Sequence, residues 1–437
     1  MLSGDFNFNF NFKAPVIPAA PERALLIFFR FLLLFLSLIA LLAGCGGSGG
    51  GGTPAPSGPT APAGTSNPIN GGVTGAANVL AVSVDGPGRL SAAYPDEPTV
   101  SVTICNSASG QCQSVDNILL DTGSYGLRIF SSVVTIPLPV EPSGLGQLAE
   151  CQVFADNTGE WGPVVTATVT LGDKSETTKS PVPLQLINAN FPGSSNCSSQ
   201  ATAGLDQSPS QTGYNGILGI GPFKQDCGTA CAADGMGVYW SCKGGTCTSA
   251  PTSLTNQVSN PVAFLPNDYK GIVLSFPSIP LGGAPYASGN YLILGIGTTS
   301  NNTPGPVNVF PLDSKGDFTT VYKNTSMPDS FIDTGSNGLF FQDASIPVCT
   351  DNQPWYCPNS TLNLSAVQEG VSNSTVNFSI DNFDVMIKKS NAVFPDIGGD
   401  PSIGSFDWGL PFYFGRSVFI CIEDMHCGSN TGPFFAY

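Results

Sequence analysis

Two patterns of apolar residues divide the chain. Residues 24–42, ALLIFFRFLLLFLSLIALL, are almost unbroken hydrophobic sequence, preceded by Lys13 and Arg23 and interrupted only by Arg30 among charged residues. Residues 46–64 then carry Gly, Pro, Ser, Thr and Ala and no charge, a composition that reads as a flexible tether extending to about residue 78. Beyond it the apolar residues come in short stretches, such as 99–105, 115–120 and 331–332, each cut off by Gly, Pro, Asn, Asp or Ser. Stretches of this length with turn residues at both ends predict strands rather than helices, and so an all-β fold.

Composition agrees with that reading and narrows the chemistry. The 437 residues exceed one small core, so two core-bearing units or one large all-β unit are expected. Gly and Pro together take 89 positions while hydrophobic residues still make up 41%, too apolar for a disordered chain and too rich in breakers for a helical one. A net charge of −16 argues against nucleic acid as a partner, and solubility alone would account for it. The single histidine, His426, precludes an imidazole-rich metal site, and any Ser-His-Asp or Cys-His arrangement would have to use it. It is expected at the surface, in a small loop between Cys421 and Cys427. Neither metal nor cofactor is expected, and carboxylates and thiols are the chemistry that remains.

The apolar run ends in Leu42-Ala43-Gly44-Cys45, which resembles a bacterial lipobox. Small residues at 43 and 44 suit a signal-peptidase groove, and the Cys45 thiol is the atom that would accept diacylglycerol. A plain transmembrane helix is the alternative, since the run is long enough to span a bilayer, but no cationic stop-transfer cluster follows it. Residues 1–44 therefore read as a lipoprotein signal peptide and Cys45 as a lipidation site. The expected location is the bacterial cell envelope, with the outer membrane favoured because Gly46 is not the aspartate that commonly retains lipoproteins at the inner membrane. Removing residues 1–44 leaves 12 basic and 29 acidic residues, and 12 cysteines besides Cys45. An even set in an exported chain implies disulfides. Cys105/Cys112, Cys227/Cys231, Cys242/Cys247, Cys349/Cys357 and Cys421/Cys427 are close in sequence and Cys151 and Cys197 remain, although nearness leaves connectivity open; a four-thiolate zinc site over 227–247 is the weaker alternative.

One motif occurs twice. Ile118-Leu-Leu-Asp121-Thr122-Gly123-Ser124-Tyr125-Gly126-Leu127 and Ser330-Phe-Ile-Asp333-Thr334-Gly335-Ser336-Asn337-Gly338-Leu339 each place an apolar strand directly before Asp-Thr-Gly-Ser. Each aspartate therefore emerges at a strand end, where the backbone turns. Hydrolysis of a peptide without metal or nucleophile needs one carboxylate as base towards water and one acid to protonate the carbonyl. Two aspartates in contact share a proton and titrate as a coupled pair, which supplies both. Around Asp121 and Asp333, Ser124 and Ser336 can donate to the outer carboxylate oxygens and Thr122 and Thr334 can bond across a pseudo-twofold axis. Gly123 and Gly335 permit close approach of the loops.

The paired Asp-Thr-Gly-Ser loops resemble those of the pepsin-like aspartic proteases. Supporting segments occur in the same order: Tyr214-Asn-Gly-Ile-Leu-Gly-Ile-Gly221, Gly289-Asn-Tyr-Leu-Ile-Leu-Gly-Ile-Gly297, and the stretch from Ser405 to Phe419; residues 99–120 read as the hairpin delivering the first loop. The resemblance covers nearly all of residues 95–425. It implies a bilobal fold with a cleft between pseudo-twofold-related lobes: residues 79–265 as an amino-terminal β lobe with the Asp121 loop and flap, and residues 266–437 as a carboxy-terminal β lobe with the Asp333 loop. The implied activity is that of a membrane-tethered aspartic endopeptidase, a monomer acting on peptide or protein substrates. Two departures stand out. Residues 151–164, at the family's flap, contain no tyrosine, so Phe154 and Trp161 are the candidates to cover substrate. Arg128 stands where many members carry a tryptophan that bonds the flap tyrosine. These departures keep a second reading open, a non-proteolytic surface lipoprotein that binds peptide or glycan, with a structural envelope module as a third.

Overall fold

A computed structural model describes residues 75–84, 95–401 and 404–437. The apolar run, Cys45 and most of the tether lie outside the described residues. Strands take 43% of the structure and helices 10%, so the all-β expectation holds. Among the described residues the longest α-helix, Gly228–Ala233, has six residues, and no helix is long and apolar enough to cross a membrane.

Alternation explains the strands. In Val79–Val84 the buried positions are Leu80, Val82 and Val84, and in Pro98–Cys105 they include Val100, Val102 and Ile104. Period-two burial of β-branched and aliphatic residues sends one face inwards, each such side chain contributing about 2 kcal/mol when fully buried. One contiguous hydrophobic cluster runs from Leu80 and Val100 through Leu218 and Phe276 to Trp408 and Tyr437.

A network of 17 strands forms the larger sheet and seven strands form a second. The first strand, Val79–Val84, which sequence groups with the amino-terminal half, pairs antiparallel with Ala287–Leu294 over most of its length, in the register Val79↔Ile293. Gly271–Phe276 joins Ala287–Leu294 to Arg416–Cys421, which in turn pairs with Phe434–Ala436. Both ends of the described chain are thereby held in one sheet.

Within this framework the repeated motif corresponds to a repeated topology. Cys112–Asp121 runs parallel to Gly216–Ile220, which pairs antiparallel with Tyr125–Phe130, itself parallel to Val182–Ile187. In the second sheet Thr325–Ile332 runs parallel to Asp407–Trp408, which pairs antiparallel with Leu339–Phe340, itself parallel to Gly398–Gly399. Each Asp-Thr-Gly-Ser turn thus leaves one strand and re-enters the sheet with a third strand inserted between. Gly219 shows how tightly this packs, since a Cβ there would lie 2.6 Å from the Tyr125 backbone nitrogen.

Among the described residues six disulfides form: the five sequence-adjacent pairs and Cys151–Cys197. The last ties the strand Gly146–Val153 to the short helix Ser195–Ser198 across 46 residues, whereas Cys242–Cys247 closes a separation of five. Loop-closure entropy grows with the length closed. Replacing both Cys151 and Cys197 by Ala should cost about 4 kcal/mol, and the Cys242/Cys247 double replacement about 2 kcal/mol, read as the difference in urea unfolding free energy under oxidising conditions.

Candidate active site

The two repeated turns meet each other. Asp121 is 2% exposed and Asp333 fully buried. A Cβ added to Gly335 would lie 2.8 Å from Asp121 Oδ1 and 3.1 Å from Asp333 Oδ1, so the second loop passes directly over the opposing carboxyl. A hydrogen bond links the two carboxyls.

Each turn is built in the same way. The amide of Gly123 donates to Asp121 Oδ1 at 2.8 Å, and that of Gly335 to Asp333 Oδ1 at 2.7 Å. Ser124 Oγ donates to Asp121 Oδ2, and Ser336 Oγ to Asp333 Oδ2 at 2.8 Å. Between the turns the threonines interlock. Thr122 N donates to Thr334 Oγ1 at 3.1 Å and Thr334 N to Thr122 Oγ1 at 3.0 Å. The same hydroxyls reach across to the opposing strand, Thr334 Oγ1 to Leu120 O at 2.6 Å and Thr122 Oγ1 to Ile332 O at 3.3 Å. Four buried bonds therefore fix one aspartate against the other.

Such proximity inside the protein has an electrostatic consequence. Burial pushes the Asp333 carboxyl well above the usual carboxylate range, and the charges of Asp121 and then Asp407 add to the shift. Ser336 pulls the other way by favouring the ionised form. Tyr413 completes the shell, its hydroxyl 2.8 Å from Thr122 Oγ1 and its ring buried. Sequence reasoning missed Tyr413 and Asp407, although both lie in the quoted stretch from Ser405 to Phe419. An aspartate inside the run Phe406-Asp-Trp-Gly-Leu-Pro-Phe-Tyr-Phe414 was the available signal.

The flap candidates are placed otherwise than the sequence reading requires. Gly146–Val153 and Thr158–Thr170 do form a hairpin, but Phe154 and Trp161 are both fully buried. Phe154 packs with Leu119, Phe130, Tyr214 and Ile217 beneath the first aspartate strand. Trp161 sits against the Cys151–Cys197 disulfide and donates its indole N–H to Phe191 O at 3.0 Å. Neither ring faces solvent, so neither is placed to cover a substrate. The hairpin is instead fastened by charge. Arg128, fully buried on Tyr125–Phe130, lies 2.6 Å from Glu150, 3.1 Å from Asp226 and 3.9 Å from Glu160. One cation faces three carboxyls, and burial holds Glu150 well above the ordinary carboxylate range despite Arg128, with Asp226 adding to the rise.

Beside the hairpin lies a pocket of about 730 Å³, lined by Gln152 and Val153, residues 223–230, residues 312–315, and Glu423 and Asp424. Phe223, on its wall, stacks edge-on against Tyr125 with ring centroids 5.1 Å apart. Tyr125 directly follows the first Asp-Thr-Gly-Ser turn, so this ring contact joins the turn to a residue of the pocket wall.

Two expected outcomes follow from these contacts. Thr334→Val keeps the volume but deletes a buried hydroxyl that both accepts and donates, and should lower the urea unfolding free energy by about 2 kcal/mol. Asp333, Asp407 and Glu150 are raised, Asp317 to about 7 and Asp396 to about 6, chiefly by burial. The folded chain keeps these protons where the unfolded chain has released them. The stability they contribute is therefore full below an ordinary carboxylate pKa of about 4 and is lost as pH rises to about 7 and beyond. Asp343, held down to about 2 by its bonds to Lys323, Ser345 and Tyr322, opposes this only in strong acid. The thermal midpoint should accordingly be higher at about pH 5 than at about pH 8, measured by circular dichroism.

No curated protein matches the chain. Residues 74–437 match the family model described as a protein of unknown function, DUF3443, and these residues take in every strand described above. The chain belongs to the DUF3443 family.

Proposed function

We propose that the protein is an aspartic endopeptidase with a bilobal, pepsin-like architecture, in which Asp121 and Asp333 hydrolyse extended peptides by general acid–base catalysis. The observation that carries this reading is the interlock of Thr122 with Thr334, which sets two carboxyls in hydrogen-bond contact with one of them strongly biased to hold its proton. The repeated topology around the two turns supports the two-lobed form.

In the reaction, the opposing carboxylate takes a proton from water as the water oxygen attacks the peptide carbonyl. The Asp333 proton passes to the carbonyl oxygen, giving a neutral diol. Collapse of the diol transfers a proton to the leaving nitrogen and restores the shared-proton pair, with no covalent enzyme intermediate. Substrate backbone would bind by strand addition, with the pocket beside Phe223 receiving a side chain. The lipobox at residues 42–45 would tether the enzyme to the envelope through Cys45. The burial of both Phe154 and Trp161 favours the second reading, a peptide- or glycan-binding lipoprotein on the same scaffold, because neither flap candidate is exposed to close over a substrate.

Incubation of residues 46–437 with denatured casein separates the two readings. Cleavage should be fastest in acid, fall as Asp333 loses its proton, respond to pepstatin, and drop by at least about 10³-fold in Asp121→Asn and in Asp333→Asn. Cleavage that survives either replacement would sink the mechanism, and a folded chain that cleaves nothing at any pH would leave the binder.

A further inference from the structure

The backbone that leaves the first aspartate turn is gripped from the wall of the pocket. Arg128 Nη1 donates to Tyr125 O at 2.8 Å, and Tyr125 is the residue directly after Ser124. The other amino group, Nη2, donates to Glu150 Oε1 at 2.6 Å, to Asp226 Oδ2 at 3.1 Å and to Gln152 Oε1 at 3.3 Å. Gln152 and Asp226 both line the pocket, each of them nearly buried. A guanidinium is planar and rigid, so a displacement of one amino group is passed to the other. One side chain therefore holds the turn with one arm of its fork and the pocket wall with the other.

Contacts beyond the guanidinium close a ring. Tyr239 donates its hydroxyl to Asp226 Oδ1 at 2.7 Å, and the amide of Val258 donates to the Tyr239 oxygen at 2.7 Å. Val258 in turn packs on Gly126, where an added Cβ would lie 2.5 Å from Val258 Cγ1 and 3.2 Å from Ser259 N. Gly126 has φ +100°, so its backbone path admits no other residue without strain. The path Arg128–Asp226–Tyr239–Val258–Gly126 thus returns to the residue beside Tyr125, and all five residues are buried. The Tyr125 ring is held from the same wall by its contact with Phe223. Carbonyl, ring and neighbouring glycine are each fixed by a group that is on the pocket wall or bonded to it.

We infer that Arg128 is a positioning residue that couples the pocket to the Asp121 turn: a substrate side chain seated against Gln152 and Asp226 steadies, through the guanidinium, the backbone that carries the first catalytic aspartate. This rests on the reading of Asp121 as half of a hydrolytic pair. Binding energy gained in the pocket is then spent on holding the reacting carboxyl in place, and it shows in kcat rather than in KM.

Backbone hydrogen exchange of the full chain, read by mass spectrometry, tests the coupling without reference to activity. Asp226→Asn keeps the shape of the wall but removes the charge that orients Nη2. Exchange over residues 121–130 should quicken about tenfold, together with that over residues 146–153. Acceleration confined to residues 223–243, with 121–130 unchanged, overturns the coupling. Should Asp226→Asn fail to fold, Gln152→Met loosens the fork from the hairpin side and is judged on the same segments. On casein, Asp226→Asn should lower kcat about fivefold, with KM within about twofold of the parent. Arg128→Lys keeps the charge but offers a single ammonium in place of the fork, so it should lose about tenfold in kcat at temperatures where it remains folded. Parent kcat in Arg128→Lys overturns the positioning role. A parent that cleaves nothing removes the endopeptidase reading, while the exchange result still decides whether wall and turn are coupled.

Discussion

Two carboxyls cannot be buried side by side unless something else holds the backbone that carries them, because their mutual repulsion and lost hydration both push them apart. Here the holding is done by Thr122 and Thr334, each accepting from the other's amide and donating to a carbonyl one residue before the opposing aspartate. Much around them serves that contact. The strands on either side end where the turns must begin, glycine follows each threonine, and Tyr413 closes the remaining face of the Thr122 hydroxyl. The bonds are buried, so each is worth more to the geometry than to the net stability.

The same economy of cations recurs at Arg128. Three carboxyls surround one guanidinium with no solvent exposure, and the arrangement joins the hairpin of Gly146–Val153 to the strand that follows the first aspartate turn and to the loop bearing Asp226. A buried ionic cluster of this kind does little for stability compared with apolar packing, but it accepts only one register, since any shift leaves a charge unpaired. The hairpin's position relative to Asp121 is therefore set by charge matching rather than by an aromatic lid. Asp333, Asp407 and Glu150 are all shifted upward for a common reason: the chain buries acids faster than it supplies bases to meet them.

The all-β fold and the doubled Asp-Thr-Gly-Ser turn were legible because both are local. Alternation and breakers announce strands, and two identical tetrapeptides after apolar strands announce a symmetric site. The lone pair Cys151 and Cys197 was legible only by elimination, as the cysteines left when close neighbours are matched. Arg128 could be seen as out of place, but its partners Glu150, Glu160 and Asp226 lie on three separate segments and nothing in their spacing joins them. Phe154 and Trp161 sat correctly on a hairpin. Which way each ring turned depended on the Leu119–Ile217 cluster and on the Cys151–Cys197 disulfide, contacts distant in sequence. Asp407 went unnoticed inside an apolar stretch because its burial arises from strands on both sides, one of them only two residues long.

The pairing of Val79–Val84 with Ala287–Leu294 bears on how the molecule comes to exist. The ribosome makes the first of these strands long before the second, and the sheet that holds them is completed only by Phe434–Ala436 at the very end. Until Ala287–Leu294 is made, most of Val79–Val84 presents an open edge, only Ser83 and Val84 pairing with Pro98–Cys105, and edges of that kind associate with whatever strand is near. Long-range closure of this sort is slow. A chain whose strand Val79–Val84 waits for Ala287–Leu294 must be kept from its neighbours while it is being made, and its yield should depend on that protection as much as on the stability of the finished fold.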